Sequence, residues 1–345
     1  MRASLTLVLG PGGVGKTTMS AAIALAAAQR GERTAVVTVD PAKRLAQALG
    51  HDHLPHRPEP VAGQENFFAA TLDRPRAWDE MVARCAENRG IPAEQVARLH
   101  GNRFYKHLRD ELGGSAEIIY ADYLGQLLET GQFDRVVIDT PPAHDALGFL
   151  DAGERFARFV DAKILELLIG GSGFKLSRRL VLKVLSRLTG RELLDDLIDF
   201  LTLTQEIFAY MAQRGRAMGL RQQGAQMLLV TAPDREGEVA GRKLAEALDE
   251  RGLDLQATIA NRIVGPPPAE AWTGEVDSAW IEFGRERSEA VQARADLDEE
   301  RIDGLRNVLR GVPVYPVARL VREPECLDDL RAIAAQVPAT LVGGQ

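Results

Sequence analysis

The run GPGGVGKTT at positions 10–18 has residue types and spacing that suit phosphate chemistry: Gly10, Gly15, Lys16 and Thr17 satisfy GxxxxGK(S/T). Glycines let backbone N–H groups curl around phosphate oxygens, and the helix that follows points its positive end at them. Lys16 is suited to bridge the β- and γ-phosphates of ATP, and the Thr17 hydroxyl to ligate Mg2+. Gly12, Gly13, Val14 and Thr18 complete the candidate nucleotide contacts. The motif is specific here because an apolar strand, SLTLVL, precedes it and a helical stretch, KTTMSAAIALAAAQRG, follows.

Two carboxylates belong to the same chemistry. Asp40 follows TAVVTV and Asp139 follows RVVI, and in an open α/β sheet the ligand lies outside the carboxyl ends of the strands. Both acids therefore converge on the phosphates. Asp139 fits a metal role, holding Mg2+ directly or through water, and Asp40 the orienting or activating of the attacking water. Capping of a following helix is the plainer reading of each. For the base, Asn261 ends the run QATIAN and carries an amide able to pair with an adenine edge. Pro316 and Val317 in VPVYPVARL offer an apolar wall. A plain loop asparagine and a plain turn explain these equally well.

Such residues need a scaffold of buried strands, and the chain has the pattern for one. Short apolar runs at 4–9, 34–39, 67–72, 134–139, 226–231, 256–260 and 312–315 alternate with longer helical stretches. This predicts an α/β fold of the P-loop NTPase kind, a mostly parallel sheet flanked by helices. Alanines 21, 22, 24, 26, 27 and 28 would let the first helix lie close on that sheet. Helical regions at 74–132 and 151–221 are too long for simple crossovers and predict an inserted α-helical subdomain. The nucleotide-binding domain is then discontinuous, over 1–73, 133–150 and 222–345.

The chain has 345 residues with 45 % hydrophobic side chains, enough for a substantial core. Its 49 acidic and 42 basic side chains leave a net charge of -7, so no global electrostatic case exists for nucleic acid. Only Cys85 and Cys326 are present, giving neither a disulfide framework nor a CxxC zinc site. The N-terminus enters a strand without the segments of a signal peptide, and no apolar run reaches a membrane span. A soluble, cytoplasmic chain is expected. His51, His53 and His56 lie in a Pro-interrupted stretch, read as a solvated loop, and His144 follows Asp139 closely enough to bond a phosphate-linked water or to stabilise a turn. From 174 to 191, FKLSRRLVLKVLSRLTGR combines an apolar stripe with Lys175, Arg178, Arg179, Lys183 and Arg187. Such a helix can lie on an anionic membrane, cover a client groove, or pack on its neighbours with a solvated basic face.

Taken together, the glycine-rich loop, DPAKRLAQALG and DTPPAHDALGFLD resemble the bacterial branch of the arsenite-transport and tail-anchored-protein-targeting ATPases over essentially the whole chain. The resemblance implies Lys16 and Thr17 on phosphate and Mg2+, Asp40 as the hydrolytic acid, and Asp139 as the acid of a second switch. It also implies Asn261 as an adenine contact and the segment from Pro316 as a base-binding loop. Four departures stand out. Pro11 matches the family's signature lysine, which reaches across a dimer to the partner's phosphates. Lys43 and Arg44 replace a frequent His and a polar residue. No cysteine cluster could bind arsenite or a shared zinc, and there is no second phosphate loop. The expected function is a dimeric Mg-ATP-dependent switch ATPase coupled to a helical part that meets a hydrophobic client helix or a membrane surface. Two alternatives stay open: a slow or regulatory subunit paired with a lysine-bearing paralogue, and a partition-type positioning ATPase.

Overall fold

In the computed structural model, which describes residues 3–40, 43–111, 116–140, 224–267 and 278–342 with parts of 196–210, the chain divides into two compact units. One comprises 1–72, 130–146 and 224–345; the other comprises 73–129 and 147–223. The predicted segment 174–191 and His144 lie outside the described residues.

The first unit is built on β1 (Ser4–Leu9), β2 (Thr34–Thr38), β3 (Glu59–Pro60), β4 (Phe67–Thr71), β5 (Arg135–Asp139), β6 (Gln226–Thr231), β7 (Leu255–Ile263) and β8 (Val314–Ala318). These form an eight-stranded sheet among the described residues, in the order β3-β4-β2-β5-β1-β6-β7-β8. Every pairing is parallel except β3 with β4. Strands β2 and β5 are buried at every position, as covering both faces of a parallel sheet requires.

Helix α1 (Lys16–Gln29) lies on one face with α2 (Arg44–Ala48) and two short C-terminal helices spanning 327–334 and 339–342. Its alanines are buried all round, and Met19, Ile23 and Leu25 join Val8, Val36, Val137 and Val230 from the sheet in one core. Small side chains let the helix axis approach the strands closely; a larger residue at the fully buried Ala24 would have to displace its packed neighbours.

The second unit contains α3 (Arg74–Arg89), α4 (Ala93–Gly101), α5 (Arg103–Glu111) and α6 (Ala116–Glu129). Asp73 caps α3 by accepting from the Arg76 N–H at 3.1 Å, and Gly90 ends it in the left-handed conformation. Arg84 of α3 pairs with the buried Asp122 of α6. Residues of 196–210 pack on α4 and α5 through Asn102 Nδ2 to the Asp196 carbonyl at 2.9 Å.

Back in the first unit, α7 (Arg235–Asp249) and α8 (Ser278–Val308) pack on each other and on β6, β7 and β8. The chain then closes with α9 (Leu327–Ala334) and α10 (Ala339–Val342), the two short helices beside α1.

Three departures from the sequence expectation have physical causes. Strand β3 is two exposed residues at the sheet edge, too short and polar to carry an apolar signal. The last strand runs from 314 to 318 and not from 312 to 315; Pro316 is tolerated in it because β8 is an edge strand, where a missing N–H breaks no ladder bond on the open side. His56 is buried, although His51 and His53 are exposed as a solvated loop would have them.

Candidate nucleotide site

The turn between β1 and α1 is possible only with glycine at two positions. Gly10 has φ 150°, and a Cβ there would stand 2.1 Å from the Val230 carbonyl oxygen of β6. Gly15 has φ 90°, and its Cβ would stand 2.5 Å from Asn261 Nδ2. The loop is therefore pressed against the ends of β6 and β7, with Gly12 and Gly13 exposed at its tip. Lys16, the first residue of α1, is buried, and its ammonium donates to the Pro11 carbonyl at 2.8 Å. Burial lowers the Lys16 pKa; the Asp139 and Asp40 carboxylates push it up, while the Arg44 guanidinium adds to the lowering. Thr17 and Thr18 follow on the half-buried side of the first turn.

The acids come together through strand register. Thr38 of β2 sits opposite Asp139 of β5, and its hydroxyl donates to Asp139 Oδ2 at 2.9 Å while accepting from the Asp40 N–H at 3.2 Å. Thr140 Oγ1 donates to the Val8 carbonyl at 2.7 Å, tying the end of β5 to β1. Asp139 is almost wholly buried, and that burial raises its pKa to about 6 against the opposing pull of the Thr17 and Thr38 hydroxyls and the Lys16 charge. Its Oδ1 has no hydrogen-bond partner among the described residues. A buried, unsatisfied carboxylate oxygen beside a threonine hydroxyl is a donor set that fits a hard divalent cation such as Mg2+.

Beside the loop opens a cavity of about 260 Å3, lined by Gly15, Thr18, Asn261, Arg262 and residues 318–324. Asn261 Nδ2 donates to the Val14 carbonyl at 2.9 Å, and its Oδ1 accepts from the Arg262 N–H at 2.9 Å. Its amide is thus turned to the phosphate loop, where the sequence suggested a partner on the base. Pro316 and Val317 do not line the cavity: Val317 points into the core shared with α1, Pro316 is exposed, and the wall begins at Ala318. The strand continues past the expected 312–315, and the alternation of side chains along β8 turns Val317 inward instead of into an apolar wall of the cavity. Arg322 of this wall pairs with Asp329 at 3.1 Å. Asp329 also accepts the Glu325 N–H at 3.1 Å and the Cys326 thiol at 3.2 Å, contacts that hold its pKa down at about 2.

Sequence reasoning missed Thr38, Arg262, Arg319 and Arg322. Thr38 alone had a signal, as a polar residue near the end of a mostly apolar strand.

A family model described as anion-transporting ATPase matches residues 3–336. An uncharacterized protein of Streptomyces coelicolor is 26 % identical over 329 residues, covering 95 % of this chain and 75 % of the relative. The ATPase ASNA1 homolog of Babesia bovis is 23 % identical over 315 residues, covering 87 % of this chain and 80 % of the relative. ATPase ARSA1 of Chlamydomonas reinhardtii is 25 % identical over 292 residues, covering 77 % of this chain but 36 % of the longer relative. With the family match running almost from end to end, and the phosphate loop and both acids on the strand ends where such chemistry needs them, this chain belongs to the anion-transporting ATPase family of arsenite-transport and tail-anchored-protein-targeting ATPases.

Proposed function

We propose that the chain is a dimeric switch ATPase that hydrolyses the β–γ bond of Mg-ATP and passes its nucleotide state to the helical unit. The observation that carries this reading is the convergence of Lys16, Thr38, Asp40 and Asp139 beside a loop that only glycine can form. Lys16 leaves the Pro11 carbonyl for the phosphates when ATP binds, supplying positive charge where negative charge develops. Thr17 and Asp139 would hold Mg2+, which when bound neutralises charge on the β- and γ-phosphate oxygens. Asp40 orients the attacking water and receives its proton. The cavity beside Asn261 takes the nucleoside. No described helix is long and apolar enough to cross a membrane; a cytoplasmic protein acting on a client helix or at a membrane surface suits the reading.

Replacing Asp40 by Asn tests it. Single-turnover hydrolysis should fall by roughly 10²–10⁴, the usual worth of a positioned general base, while Mg-ATP affinity stays within a few-fold. Equal hydrolysis by the variant and the unmodified chain removes Asp40 from the chemistry.

A second reading is favoured by Pro11. It has no amine to send to a partner's phosphates, and its only polar group, the carbonyl, is engaged by Lys16. The chain then acts as the slow or regulatory half of a dimer with a lysine-bearing paralogue.

A further inference from the structure

Binding a nucleoside does not by itself call for the backbone at the end of β7. Arg262 has φ 64°, a left-handed conformation that side-chain-bearing residues seldom adopt, and the register of β7 with β8 shifts between Asn261 and Ile263. This bulge aims the Arg262 N–H at Asn261 Oδ1, 2.9 Å away. So oriented, Asn261 Nδ2 donates to the Val14 carbonyl at 2.9 Å and fills the space in which a Gly15 Cβ would sit. The side chain is buried, so water competes little for either bond.

We propose that Asn261 is a positioning residue for the phosphate loop: the Arg262 bulge sets its amide, and the amide sets the Val14–Gly15 peptide. A trans peptide is planar, so fixing the Val14 carbonyl also fixes the Gly15 N–H, which points the opposite way. That N–H belongs to the set that receives phosphate oxygens, and its direction is set before ligand arrives. Preorganisation of this kind strengthens binding of the phosphate chain whatever base it carries. The inference rests on the reading that the loop binds a polyphosphate, but it gives Asn261 a task that reading did not.

The test separates phosphate from base. Calorimetric titration of the full chain with Mg-ATP and with Mg-tripolyphosphate, which has no base, should show Asn261→Ala weakening both by a similar factor. Loss of one buried hydrogen bond corresponds to roughly five- to tenfold. Weakened ATP binding with tripolyphosphate unchanged would mean that the amide serves the base, and the inference would fall. Hydrogen exchange on the ligand-free chain gives a readout independent of ligands: amides 12–16 should exchange faster in Asn261→Ala than in the unmodified protein. Unchanged exchange there also overturns the inference. Asn261→Ser, which retains a polar group too short to reach Val14, carries the same comparisons if the alanine variant fails to fold. Should the unmodified chain bind neither ligand, the ATPase reading falls, while the exchange measurement still decides the role of Asn261.

Discussion

Lys16 is held between opposing fields. Burial and the Arg44 guanidinium disfavour its charge, and Asp139 and Asp40 favour it. Arg44 opens α2 on its exposed side, four residues after Asp40, and stands where the resembled family carries a polar residue. Its positive charge is therefore felt at Lys16 from within the same chain. Replacing Arg44 by Ala removes a like charge from the neighbourhood of Lys16, so the Lys16 pKa should rise. Titration of the Lys16 side-chain resonances by NMR in the nucleotide-free protein measures this directly; no movement would place Arg44 too far away to act. Thr38 is a second residue of this kind. Its hydroxyl links the backbone of Asp40 to the carboxylate of Asp139, so the two acids share one anchor on β2.

At the scale of elements, the cavity wall at 318–324 is tied to the start of α9 by Asp329, which gathers the Glu325 N–H, the Cys326 thiol and the Arg322 guanidinium. The carboxylate makes these contacts best when ionised, and its pKa is accordingly depressed from 3.8 to about 2. A group with a depressed folded pKa contributes stability above its unfolded pKa and loses it as pH falls through the folded value. Asp329→Ala should therefore melt at a lower temperature than the unmodified chain at pH 7. The difference should narrow as pH falls from 4 through 2, below which both chains carry a neutral group. A gap in melting temperature that stays constant over that range would show that packing, and not the carboxylate's charge, holds the wall. On the other side of the cavity, β7 ends in the Arg262 bulge, so the site is framed by two local backbone devices that no hydrophobic pattern announces.

At the scale of the whole molecule, the question is whether one chain suffices. A cation supplied across a dimer accelerates phosphoryl transfer by roughly 10³–10⁵ in arginine-finger systems. Pro11 can supply none. A homodimer of this chain should bind Mg-ATP and hydrolyse it slowly, and Pro11→Lys should raise turnover at least tenfold in any dimer that sedimentation detects. Fast turnover by the unmodified protein, unaltered by the lysine, would show that charge reaches the phosphates from elsewhere and would remove the case for a lysine-bearing partner.

Much of the fold was legible because its signals are local. β1, β2, β4, β5 and β6 are short apolar runs bounded by polar turns, and the alanine-rich α1 follows its glycine loop directly. Burial on both faces of a parallel sheet forces that pattern, so the α/β class and the position of Asp40 and Asp139 at strand ends were legible in the sequence. Other features depend on contacts between residues far apart in the chain. Nothing in QATIANRI tells that Arg262 adopts a positive φ or that Asn261 grips Val14, 247 positions earlier. Nothing in VPVYPVARL tells that Val317 turns into the core and that the cavity wall starts one residue later. The amino-acid sequence by itself determined the phosphate loop, the buried strands and the acids at their ends, because each follows from short-range sterics and hydrophobic periodicity. Only the tertiary structure decided where the Asn261 amide points, how Thr38 joins the two acids and which residues wall the cavity, because those follow from strand order, register and close packing across the sheet.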